Sequence, residues 1–202
     1  MVLAAVLCLP AALGAGRTIV VVGDSLSSGF GLAAEQSWVA MLKERILGEG
    51  YGYEVVNASI AGDTSAGGLA RLPRLLEKHS PSVVVIELGG NDGLRGQPID
   101  ALRDNLSSMI EQSQRAGARV AIAAIQIPPN YGPAYTRALS ALYPELAQRF
   151  HVTLVDLALA NVAVKPELMQ GDGIHPNAAG QKIVFANVWQ ALGPMLAARD
   201  GR

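Results

Sequence analysis

Thr18-Ile19-Val20-Val21-Val22-Gly23-Asp24-Ser25-Leu26 is the stretch whose reading decides the fold of this chain. Five β-favouring residues run together without a charge, which describes a strand buried on both faces rather than an amphipathic one. Gly23 and Asp24 then supply turn chemistry, so the Ser25 hydroxyl is left at the carboxyl end of the strand. Runs of the same kind, rich in Val and Ile, recur at residues 53–57, 82–88, 119–125 and 152–157. Each is short enough to be a strand.

Amphipathic segments separate these runs. Trp38-Met41-Leu42-Arg45-Ile46 is one, and Leu102-Leu106-Met109-Ile110-Ser113 follows helical i, i+4, i+7 spacing as far as a helix stop at Gly117. Ala138-Leu142-Leu146-Phe150 and Ile183-Val184-Val188-Leu192-Met195 repeat the pattern. Five strand-like runs alternating with helices predict an α/β fold: three layers, α/β/α, around a five-stranded parallel sheet. The strand order expected by analogy with doubly wound sheets is 2-1-3-4-5. In such sheets the loops after the strands share one edge, where binding sites form. Ser25, Gly62 and Asn91 follow the first three runs and are therefore expected together.

The chain has 202 residues, half of them hydrophobic, with a formal net charge of −1 and no basic block or stripe. That size suits one domain with a sizeable core, and the charge pattern gives no reason to expect nucleic acid as a partner. Aromatic residues are only 5% of the chain, too few for ring-stacking platforms to dominate recognition. Val2-Leu3-Ala4-Ala5-Val6-Leu7-Cys8-Leu9-Pro10-Ala11-Ala12-Leu13 is shorter than the ~20 residues of a membrane-spanning helix. Followed by Gly14-Ala15-Gly16, it matches the apolar core and cleavage region of a secretory signal. Met1 runs straight into Val2 without a basic segment, which points to a late start codon or a clipped sequence. Residues 1–16 are thus read as a signal peptide truncated at its N-terminus, cleaved after Gly14, Ala15 or Gly16, and residues 17–202 as one domain. Periplasmic or secreted localisation follows, with no stable membrane insertion after cleavage. Cys8 is the only cysteine and Leu7 precedes it where lipid attachment wants a small residue, so the mature chain has neither a disulfide nor a thiol nucleophile.

The chemistry lies in four loops. Ser25 needs a base to remove its proton as it attacks. Asp172-Gly173-Ile174-His175-Pro176 supplies an imidazole and, three residues before it, a carboxylate to orient the ring. Ser59-Ile60-Ala61-Gly62-Asp63-Thr64-Ser65 can offer a glycine N–H and Gly89-Gly90-Asn91-Asp92 a side-chain amide, the donors a developing oxyanion requires. Each loop also has a bland reading as a turn or, for His175, an exposed surface residue. His79, ending a helix, and His151, between a helix and a strand, read as structural. Gly23, Gly29 and Gly31 do not form a dinucleotide fingerprint and no phosphate-binding Lys-Ser follows. A metal phosphoesterase built on Asp24, Asn91, Asp92 and His175 lacks the further ligands that a two-metal site needs. A binding module that had lost its chemistry would lack Ser25, Asn91 or His175, and all three are present. No metal or cofactor is expected.

Taken together, Gly23-Asp24-Ser25-Leu26, Gly62, Gly89-Gly90-Asn91-Asp92 and Asp172-Gly173-Ile174-His175-Pro176 resemble the four blocks of the SGNH (GDSL) hydrolases, in order and across the whole mature chain. Val56-Asn57-Ala58-Ser59, Leu69-Ala70-Arg71-Leu72-Pro73, the stretch from Glu87 to Gly96 and Met169-Gln170-Gly171-Asp172 are similar to the Gram-negative thioesterase I group, also called protease I and lysophospholipase. The resemblance implies a monomeric periplasmic esterase of broad tolerance toward small-molecule acyl esters and thioesters: acyl-CoA, aryl esters and lysophospholipids. It implies Ser25 as nucleophile, His175 as base, Asp172 as its partner, and an oxyanion hole from Ser25, Gly62 and Asn91. It also implies that the loop at residues 93–98 moves when acyl chains bind. A carbohydrate O-acetylesterase with the same catalytic set is the alternative. Phe30, Leu32, Leu94, Ile127 and Leu168, expected near the site loops, favour an acyl chain. Asp24 reads as a turn and loop organiser rather than the acid of a triad.

Overall fold

The computed structural model describes residues 17–157 and 159–197. The signal-peptide reading of residues 1–16, with Cys8, lies outside them. Five parallel strands, β1 (Arg17–Gly23), β2 (Tyr53–Asn57), β3 (Val83–Glu87), β4 (Arg119–Ala124) and β5 (Thr153–Asp156), form one sheet in the order β2-β1-β3-β4-β5. This is the predicted 2-1-3-4-5 order. The central strands match the apolar runs because helices cover both of their faces: every residue of β3 is buried, and so is β1 beyond Arg17. The edge strands depart from that expectation. In β2 Glu54 and Asn57 are exposed, and in β5 Leu154 and Asp156 are. A strand with one neighbour has less of its surface covered, so alternation returns at the edges.

The helices are α1 (Ser25–Ser28), α2 (Trp38–Gly48), α3 (Ser65–His79), α4 (Gly90–Leu94), α5 (Ile99–Arg115), α6 (Pro133–Phe150), α7 (Leu159–Ala163) and α8 (Ala178–Ala197). One layer pairs α2 with α8; the other runs α3, α5, α6, each packed on the next. The spacing read in α5 is the buried face: Leu102, Leu106, Met109, Ile110 and Ser113 are all buried. Ala116 ends that helix, and Gly117 follows in the left-handed region at φ 83°, as a residue after a helix end does. Asn91 and Asp92 lie in the short helix α4, where the sequence had read as a plain turn.

Two close approaches fix the layer carrying the site loops. A Cβ on Gly68 of α3 would lie 2.2 Å from Leu88 Cδ1, so the helix seats against the end of β3 only because it has none. Gly89, at φ +118°, turns the chain from β3 into α4, and a Cβ there would lie 2.2 Å from the Tyr143 hydroxyl. That hydroxyl donates to Leu88 O (3.0 Å) in the core. Gly89→Ala should combine a backbone conformation costing about 1–3 kcal/mol with displacement of Tyr143. At roughly 2–4 °C per kcal/mol for this size, a Tm fall of several degrees is expected in a thermal melt; an unchanged Tm would show that this connection relaxes freely.

Candidate active site

The parallel register of β1 with β3 sets Gly23 beside Glu87, so the loops leaving both strands emerge side by side. The chain turns at Asp24, whose Oδ1 accepts the Leu26 N–H (3.0 Å) and caps α1. Gly29, at φ 79°, ends that single turn by donating its N–H to Ser25 O. Ser25 is therefore the first residue of a capped helical turn at the carboxyl end of β1. Gly23 has no room for a side chain, since a Cβ would sit 2.7 Å from Glu87 Oε2 and 2.8 Å from Ser27 Oγ.

His175 arrives from the other end of the chain. Its loop is closed by a β-bridge between Met169 and Pro176. Within it Asp172 Oδ1 accepts the N–H groups of Ile174 (2.9 Å) and His175 (3.0 Å), while Oδ2 lies 2.6 Å from His175 Nδ1. The other ring nitrogen, Nε2, lies 2.7 Å from Ser25 Oγ. Burial would raise the Asp172 carboxyl, but hydrogen bonds from the His175 N–H and ring and from the Ile174 N–H outweigh it and hold the group at about 2. Asp172 is thus ionised throughout the neutral range and can fix the tautomer whose Nδ1–H it accepts. Asn177 then starts α8, its Oδ1 accepting the N–H groups of Ala179 and Gly180.

Gly62 and Asn91 line the same cavity, of about 770 Å³, as Ser25 and His175. Gly62 needs to be glycine for its φ of +79°, not for space, because a Cβ there would touch nothing within 4 Å. The cavity wall beyond is mostly apolar, with Leu94, Ile125, Ile127, Pro128, Leu159 and Val164 among its members. Of the apolar residues expected near the site, Phe30, Leu94 and Ile127 line it; Leu32 and Leu168 do not. Ile125, Leu159, Val164 and Met169 line it instead, brought in by the β4 loop, by α7 and by the strand-like end of the histidine loop. Ser25, Gly62, Asn91 and His175 come from four separate segments, and all four line this one cavity.

Sequence reasoning missed the buried acids beneath the site. Asp24 and Glu87 are 2% and 0% exposed. Glu87 Oε2 accepts from the Asp24 N–H (3.2 Å) and the Ser27 hydroxyl (2.6 Å), and Asp24 Oδ2 accepts from Asn91 Nδ2 (2.9 Å). Asp24 thereby orients the Asn91 amide as well as capping α1, which fills out its reading as an organiser. Burial pushes the Asp24 carboxyl up to about 6, against the lowering effect of Leu26, Asn91 and His175. Burial, and then the Asp24 charge, push Glu87 well above the usual range. Asp92, buried also, takes the N–H and hydroxyl of Ser65 (2.9 and 2.5 Å) and so ties α4 to the start of α3. The signal available for Glu87 was a lone acid closing the otherwise uncharged run Val83-Val84-Val85-Ile86.

Comparison with known proteins shows the family of the chain. The model of the GDSL-like Lipase/Acylhydrolase family matches residues 21–183. The chain is 52% identical over 182 residues to Esterase TesA of Pseudomonas aeruginosa, covering 90% of each protein. It is 42% identical over 182 residues to Thioesterase 1/protease 1/lysophospholipase L1 of Escherichia coli K12, covering 90% of this chain and 86% of that protein. The crystal structure of TesA superposes with a TM-score of 0.85 at 51% identity, over 89% of this chain and 99% of that one.

The buried pair carries a prediction of stability against pH. Both carboxyls hold their protons more tightly folded than unfolded, so the stability they confer is full below the ordinary carboxyl range and is lost as pH rises. For Asp24 the loss spans 3.8 to about 6 and amounts to about 3 kcal/mol; Glu87 extends it to higher pH. Glu87→Gln removes one such group. Melts at pH 5 and pH 8 should therefore show a smaller fall in Tm for the variant than for wild type. An equal fall would mean that the pair does not govern this dependence.

Proposed function

The chain belongs to the GDSL-like lipase/acylhydrolase family and is a serine esterase; from that premise we propose that Ser25 is its nucleophile, His175 the general base and Asp172 the group that orients it. The observation that carries this reading is the unbroken contact from Asp172 Oδ2 through His175 to Ser25 Oγ, 2.6 Å and 2.7 Å, at the floor of an apolar cavity. With Nδ1–H donated to Asp172, Nε2 presents its lone pair to the serine hydroxyl. Ser25 Oγ attacks the acyl carbonyl while its proton passes to Nε2. The carbonyl oxygen becomes an oxyanion that the N–H groups of Ser25 and Gly62 and the amide of Asn91 stabilise. Collapse expels the alcohol or thiol, which takes the proton from Nε2. Water then attacks the acyl-enzyme, giving its proton to Nε2, and Ser25 recovers that proton as the acid leaves.

The apolar wall supports an acyl chain as the part of the substrate held most strongly, with the leaving group toward the open side. Burying methylenes there contributes about 0.8 kcal/mol each. Phe30 is the one phenyl ring among the lining residues, which speaks for acyl esters, acyl-CoA and lysophospholipids over sugars bound by stacking. We place the mature protein in the periplasm or outside the cell, as a monomer. The apolar N-terminal run and its small-residue end support that location.

A fluorophosphonate should label wild-type protein at a single residue, and Ser25→Ala should lose both the label and ester hydrolysis while melting as wild type does. Retained turnover in Ser25→Ala would overturn the assignment. Asn91→Ala should lower kcat by about 10²–10³, with a smaller effect on KM. Rates across p-nitrophenyl esters, acyl-CoAs, lysophospholipids and acetylated sugars test the substrate class; preference for the acetylated sugars would reverse the acyl-chain reading. A chelator should leave all of these rates unchanged.

A further inference from the structure

His175 and Ser25 are 150 residues apart and meet through loops, not through the sheet. The histidine loop is open to solvent, with residues 171–174 exposed. Something must therefore hold it against the nucleophile turn to within the few tenths of an ångström that proton transfer requires. Gln170 spans that gap. Its Nε2 donates one hydrogen to Phe30 O (2.9 Å), on the loop after the nucleophile, and the other to Pro176 O (3.1 Å), next to the histidine. Its own backbone N–H donates to His175 O (2.8 Å). On the far side the Phe30 N–H reaches back to Ser25 O (3.4 Å). These contacts close a circuit. It runs from Ser25 O to Phe30, from Phe30 O to the Gln170 amide, from Gln170 to the His175 backbone, and from the His175 ring to Ser25 Oγ.

Gly31 gives this bridge its room. At φ +72° it lies directly under the amide, and a Cβ there would fall 2.1 Å from Gln170 Oε1. The same arrangement lays the Phe30 ring on the His175 ring, with centroids 4.9 Å apart. Gln170 itself is not among the residues lining the cavity, so its effect on substrate is indirect.

We propose that Gln170 is a positioning residue, whose side-chain amide, by joining Phe30 O to Pro176 O, sets the separation of the His175 ring from the Ser25 hydroxyl. The proposal rests on the assignment of Ser25 and His175 as nucleophile and base. Loss of the bridge leaves the Asp172–His175 contact intact but lets the loop drift. It should slow every step in which a proton crosses between Nε2 and Ser25 Oγ, while leaving acyl-chain binding alone.

Gln170→Leu keeps the size and removes both donors; Gln170→Ala serves beside it in case the leucine does not fold. Rates per active site, counted by titration, are measured at 25 °C with a p-nitrophenyl ester, and phosphonylation by a fluorophosphonate is followed in parallel. The expected result is a loss of about 10–100-fold in kcat and an equal loss in phosphonylation rate, with KM within about threefold of wild type. A lower Tm with kcat and phosphonylation within twofold of wild type would overturn the proposal, because it is what a purely structural bond would give. A change confined to KM would overturn it too. Ser25→Ala run alongside separates the two levels. If that variant still hydrolyses ester, the nucleophile assignment fails; if it is inactive and Gln170→Leu is not slowed, only the role of Gln170 falls.

Discussion

The pairing of β1 with β3 is the constraint on which the rest of the site depends. Parallel register puts Gly23 opposite Glu87, and the first residues after the two strands then reach one another. Asp24 N–H meets Glu87, Asp24 Oδ2 meets Asn91, and Ser25 begins the helical turn that Asp24 caps. Slip this pair by one residue and the side chains of one strand exchange faces. Gly23 would then no longer meet the carboxylate that its missing Cβ accommodates. The short approach is possible because the residue at the crossing is glycine.

That arrangement has an electrostatic cost. Two carboxyls lie out of water beneath a site that has a third, Asp172, at its surface. The three are held in opposite directions: Asp24 and Glu87 toward protonation, Asp172 toward ionisation. Burial dominates the first two; in the third, hydrogen bonds from the His175 and Ile174 N–H groups and the His175 ring together outweigh it. A charge thus stays fixed next to the histidine ring, while burial works against charge beneath Ser25 and Asn91. A local destabilisation beneath catalytic loops is a recurrent feature of active sites, because the geometry that chemistry needs differs from the geometry that packs best.

Much of the fold was readable in the chain. The runs at 18–22 and 82–88 were legible because strands covered on both faces carry no polar alternation to blur them. The α5 spacing was legible because Leu102, Leu106, Met109 and Ile110 share one buried stripe. The edge strands were read less well, since Glu54 and Leu154 reflect how many helices cover β2 and β5, a property of the assembled layers. Asn91 and Asp92 read as a turn and form a helix instead, because Asp92 is anchored from outside by Ser65. The cavity wall was half legible. Leu94 and Ile127 lie beside motifs and Phe30 follows the Ser25 turn, whereas Leu159 and Val164 enter from α7 and the residue after it, which no motif marks.

By itself the sequence determined the layer architecture and marked the candidate site residues. Hydrophobic period and run length depend on local burial, and Ser25, Gly62, Asn91, Asp172 and His175 each sit in a short motif with its own chemistry. Tertiary structure alone decided how those groups engage. Glu87 became a buried partner of Asp24 through strand register, Gln170 became a bridge because Gly31 leaves room beneath its amide, and the wall of the cavity was chosen by which helix closes over it. These are contacts between residues tens to more than a hundred positions apart. Their energies depend on distances of a few ångströms that no local pattern encodes.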